Sequence, residues 1–189
     1  MKKLLSLSAA FLVICCMACT GTPEGSAGAQ SGKWHLGEPV IDSHVHIYPT
    51  MTGLATALEV FEQAGIGPFV VKSAGEVGSV RYHATLAMQK IMGDRMRSFA
   101  NLDFQGIDSP DFGRSVVPQL ERMKKDGIVG IKVFKNLGLN VRFADGTLVK
   151  IDDQRLAPIF EACGRLGLIF AWHVADPVAF FQPVTPENE

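Results

Sequence analysis

Two histidines one residue apart, His44 and His46, follow an apolar pair in the run Val40-Ile41-Asp42-Ser43-His44-Val45-His46. In an extended strand, side chains two apart share a face. Asp42, His44 and His46 therefore project to one side, with Ser43 and Val45 on the other. Two imidazoles projecting together can bind a transition metal. The plainer alternative is a pair of polar residues leaving a strand. Asp42 is placed to orient a histidine rather than to bind a metal itself.

The rest of the chain must position this pair. Short apolar runs predict strands over residues 39–44, 67–72, 97–102, 128–134 and 168–173. Helical spacing fills the gaps, and Gly65, Gly93, Gly127 and Gly167 follow the helical stretches as stop signals. Ser109 and Asp111 can cap the third helix, whose inner face reads Val116, Val117, Leu120 and Met123. The next helix carries Leu156, Ile159, Phe160, Cys163 and Leu166, so Cys163 reads as a buried core thiol. Pro158 either kinks that helix or opens it.

Strands alternating with helices imply βαβ units and a parallel sheet with right-handed crossovers. The unit starts are spaced close to the roughly 30 residues such a unit needs. A doubly wound sheet and a barrel both fit this rhythm. No Gly-x-Gly-x-x-Gly follows the first strand, which argues against a dinucleotide-binding fold. In a barrel, reactive groups gather at the C-terminal ends of strands. Here His44 and His46 end the first strand, Lys72 the second, and Asn101 and Asp103 the third. Lys132 and Lys135 stand towards the end of the fourth, and His173 ends the fifth. Lys135 and Asp176 are placed to meet a small-molecule substrate, and Phe180-Phe181 can line the same pocket. His35 and His83 read as solvated surface residues.

The 189 residues are 47% hydrophobic and 20% charged, with net charge −1. That composition is globular and lacks the basic face that nucleic acid requires. Residues 1–19 read as a signal peptide, with Lys2 and Lys3 before an apolar stretch too short to span a membrane. Ala18-Cys19 is similar to a bacterial lipoprotein cleavage site, so Cys19 is expected to be acylated, with a membrane anchor in the cell envelope; simple export is the alternative. Residues 20–38 are rich in Gly, Ser, Ala, Thr and Pro and read as a flexible tether. Residues 39–189 form the folded domain, which keeps only Cys163 and so has no internal disulfide to form.

The first-strand motif resembles the opening of the amidohydrolase superfamily, and more specifically its amidohydrolase-related branch of metal-dependent hydrolases and decarboxylases. Gly127-Ile128-Val129-Gly130-Ile131-Lys132-Val133-Phe134-Lys135 and Phe170-Ala171-Trp172-His173-Val174-Ala175-Asp176-Pro177 are similar to its fourth and fifth strands. The resemblance implies a (β/α)8 barrel of the TIM type holding a divalent metal, usually zinc. It implies His44, His46 and His173 as ligands. Lys132 occupies a position where some members bridge two metals with a carboxylated lysine; a barrel-lining or substrate-pairing cation is the alternative. The implied chemistry is activated water attacking an amide, ester or lactone carbonyl, or else metal-dependent decarboxylation. A non-catalytic, surface-anchored binding lipoprotein is the rival class.

Barrels of this kind take roughly 250 residues. Only five strands are read here, and the family's eighth-strand aspartate and sixth-strand histidine have no counterpart. The expectation is a barrel truncated after about strand five: the N-terminal portion of a longer enzyme, inactive as it stands. A short protein completed by a partner chain or an oligomer is the alternative.

Overall fold

Five strands alternate with helices in the order β1 (Val40–Val45), α1 (Met51–Ala64), β2 (Ile66–Val71), α2 (Val80–Met92), β3 (Met96–Ala100), α3 (Phe112–Lys125), β4 (Gly130–Val133), α4 (Asn136–Leu139), α5 (Ala157–Leu166) and β5 (Ile169–Trp172). The computed structural model describes residues 40–173 together with 176, 178, 182, 183 and 185. The signal peptide, Cys19, the tether, His35, the strand start at Pro39 and Phe180-Phe181 lie outside the described residues.

All four strand pairings are parallel, and the sheet order is β1-β2-β3-β4-β5. A doubly wound sheet reverses its strand order at a switch point. No reversal occurs among these five described strands. The sheet also curls. Neighbouring strands lie about 4.8 Å apart, which would separate β1 from β4 by about 14 Å on a flat sheet. Yet the His46 ring, just past β1, is 6.1 Å from the ring of Phe134, just past β4. Side chains standing perpendicular to a flat sheet could not meet in this way.

The helices pack behind the sheet. Leu54 and Phe61 of α1 are buried, and the Phe61 and Phe69 rings lie 4.9 Å apart. Val116, Leu120 and Met123 of α3 pack with Ile131 and Val133 of β4 and Ile159 and Cys163 of α5. Burying each such side chain contributes about 1.5–3 kcal/mol relative to exposure. Burial also pushes the Cys163 thiol up to about 11. Phe160 departs from the expected inner face. It sits at the rim, 37% exposed, against the Phe170 ring.

Local chemistry sets the boundaries. Thr50 Oγ1 accepts from the Gly53 amide at the start of α1, and Gly65 (φ 71°) closes that helix in the left-handed region. Ser79 Oγ caps α2 by accepting from Tyr82 N. Asp111 does hold the N-cap position of α3, but its carboxylate makes no cap hydrogen bond; Ser109 Oγ instead accepts from the Asp111 amide. Pro158 stands in the first turn of α5, where a missing N–H is tolerated, so it opens the helix rather than kinking it. Strand β4 starts later than its apolar run. The Ile128 amide donates to Met123 O and so finishes the turn after α3.

The connection from β4 to α5 holds structure that spacing did not predict. It contains α4, a single turn broken at Leu137 and Gly138, and an isolated antiparallel bridge between Arg142 and Leu148. Leu137 and Val149 are buried, and Trp172 Nε1 donates to Leu137 O, so this loop is tied to β5.

Candidate functional site

Strand alternation sorts the side chains. Phe69 and Val71, Ile131 and Val133, and Phe170 and Trp172 pack towards the helices. The opposite, concave face carries His44, Lys72, Phe99 and Lys132. The first residue after each strand continues that face: His46, Lys72, Asn101, Phe134 and His173. The sequence placed polar groups at this end of the sheet, and the structure places them there.

The two β1 histidines come together. Their ring centroids are 5.2 Å apart in an edge-on arrangement, despite two register shifts between β1 and β2. Both rings open to solvent. Desolvation, then the ammonium of Lys132, lowers the pKa of each; His46 and Lys72 add to this for His44, and Arg81 adds to it for His46. Neutral imidazoles are the ligand form. Asp42 accepts from the backbone N–H of His44 at 2.9 Å, so it fixes the strand beneath the ring rather than the ring itself.

Two lysines form the floor. Lys132 is 4% exposed and Lys72 is 9% exposed. Lys72 Nζ lies 3.1 Å above the Phe99 ring, and Lys132 Nζ is 5.8 Å from the Phe134 ring. Desolvation lowers the pKa of both, and Lys132 lowers that of Lys72 further. Among the described residues neither makes a salt bridge. Phe99 reaches this floor because Gly130 faces it. A β-carbon there would overlap the Phe99 ring and crowd the Ile169 carbonyl.

His173 ends β5 on the same face, with Nε2 3.6 Å from Asp176 Oδ1. The other Asp176 oxygen accepts from Lys135 Nζ at 2.5 Å. The two side chains expected to meet substrate thus meet each other, beside His173. Among the described residues, no group of three or more His, Cys, Asp and Glu side chains comes together as a metal cluster. Two neighbouring, neutral imidazoles do fit one edge of a metal site, with His173 across the same mouth.

Residues of the β2–α2 loop enter this site, and spacing did not single them out. A cavity of about 440 Å³ opens beside His46, walled by Tyr48, Ser73, Glu76, Arg81 and Phe134. Asn101, 5% exposed, holds the loop: its side chain accepts from Gly75 N and donates to Lys132 O. The one signal for Ser73 and Glu76 was position, directly after a strand at the reactive end. His83 lies on the exposed side of α2, as a surface histidine would. Comparison with family models, with curated proteins and with solved structures returned no match.

Proposed function

We propose that the chain is a metal-dependent hydrolase of the amidohydrolase type, built from the first strands of a (β/α)8 barrel. The observation that carries this reading is the pair His44 and His46, 5.2 Å apart at the C-terminal mouth of a curled parallel sheet. A sequential, unreversed strand order is also what the start of a barrel requires.

In this reading His44 and His46 hold a divalent ion, zinc being the natural choice for imidazole donors. Such an ion supplies Lewis acidity that activates water towards an amide, ester or lactone carbonyl. Lys132 works from behind: its charge disfavours protonation of both rings and keeps them in the ligand form. His173 is the remaining imidazole of the mouth. Asp176 Oδ1 stands 3.6 Å from its Nε2, on the side where a carboxylate would orient a metal-bound histidine.

The test is metal content. Full-length protein purified from zinc-supplied cells should carry about one zinc per chain, and His44→Ala and His46→Ala should each lose most of it while keeping the native melting transition. Wild-type protein that stays metal-free with zinc in excess would sink the reading.

A further inference from the structure

The cavity beside His46 contains a cation, Arg81, that makes no salt bridge among the described residues. Arg81 sits in the first turn of α2, and its guanidinium is held from two sides. Nη1 donates to the Ser73 carbonyl at 3.3 Å, and the guanidinium carbon lies 5.3 Å from the Tyr48 ring centroid. Its stem is also fixed, because Gly75 packs on it so closely that a β-carbon there would stand 3.1 Å from Arg81 Cβ. Among the described residues Arg81 makes no salt bridge, although Glu76 lines the same cavity. A guanidinium fixed in this way, lining a cavity and making no salt bridge among the described residues, is a half-made anion site.

We propose that this cavity is a carboxylate-binding subsite, with Arg81 as the anchoring cation, and that the substrate is a small monocarboxylic acid. The volume of about 440 Å³ admits one small molecule rather than a polymer segment. The planar guanidinium fork matches a carboxylate with two parallel hydrogen bonds. Glu76 on the wall repels a second negative charge, so a monoanion is favoured over a phosphate dianion. Tyr48 and Phe134 supply apolar walls for the body of the molecule. Because His46 lines the same cavity, an acid anchored at Arg81 presents its far end to the imidazole pair. Only this last step, where the reacting bond lies, rests on the hydrolase reading.

Binding of benzoate and of uncharged benzamide to chelator-treated protein separates the two ideas. With metal removed, no ion can account for carboxylate binding. Benzoate should bind at least about tenfold more tightly than benzamide, the scale of one charge-assisted contact. Arg81→Gln should abolish that preference, and Arg81→Lys, which keeps the charge and loses the fork, should retain part of it. Equal binding of the two probes by the wild-type protein overturns the proposal without needing any variant. So does an Arg81→Gln protein that melts normally and still prefers benzoate. Zinc content of untreated samples reports on the hydrolase reading independently: zinc-free protein that discriminates between the probes keeps the subsite and removes the metal.

Discussion

Asn101 and Gly75 are joined twice. The Gly75 amide donates to the Asn101 side-chain oxygen at 2.8 Å, and the Asn101 amide donates to the Gly75 carbonyl at 3.0 Å. The side-chain nitrogen of Asn101 then reaches the Lys132 carbonyl on β4 at 3.0 Å. One buried amide thus links the β2–α2 loop, β3 and β4 at the mouth of the sheet. Asn101→Ala should lower stability by about 2–3 kcal/mol, because it leaves a buried N–H and a buried carbonyl unpaired. Urea unfolding measures this. A loss below about 0.5 kcal/mol would mean that water replaces both bonds.

Lys132 is a buried ammonium with no carboxylate partner among the described residues. Lys132→Met keeps the length and removes the charge. Stability should rise by roughly 1 kcal/mol near neutral pH. The same change should raise the pKa of His44 and His46 together, since the Lys132 charge depresses both. Histidine ring signals followed by NMR through a pH titration decide it. Unmoved titration curves would show that the charge does not reach the rings.

The histidine pair makes stability depend on pH in a fixed direction. Both rings have folded-state pKa values below the ordinary 6.5. Above 6.5 the rings are neutral whether the chain is folded or not, and contribute nothing. As pH falls below 6.5 the unfolded chain takes up protons first, so stability is lost progressively towards the lower folded values. Metal-free wild-type protein should lose more stability between about pH 7 and pH 5 than the His44→Gln, His46→Gln double variant. Equal losses in denaturant titrations would refute the assignment.

Much of this was legible because it is local. Period-two alternation placed His44 and His46 on one face, and glycines after apolar helical faces marked Gly65 and Gly167 as stops. The remainder depends on contacts distant in the chain. Arg81 reads as an ordinary helix-surface arginine until the Ser73 carbonyl and the Tyr48 ring are brought beside it. Asn101 reads as a strand end, and nothing in its neighbours reveals the loop it holds. Leu137 and Val149 lie in a stretch without periodicity, so their burial could not be read from spacing.

Gly130 leaves no room for a side chain on the concave face. Gly130→Ala should destabilise the fold by roughly 2–4 kcal/mol, because the new methyl meets the Phe99 ring on one side and the Ile169 backbone on the other. Phe99→Leu in the same background should recover part of the loss, leaving the backbone contact. Thermal melts of the single and double variants measure both. Additive losses would show that the ring is not the obstacle.

The unreversed strand order has a kinetic consequence. Each strand after the first pairs with the strand before it in the chain, and among the described residues no strand pairing closes a longer stretch than that from Gly130 to Ile169. Loop-closure entropy therefore stays nearly constant from one unit to the next. The sheet can grow in the direction of synthesis, each strand finding its neighbour already formed. His44 lies on β1 and His46 directly follows it, so both imidazoles precede Lys72 and Lys132 in the order of synthesis.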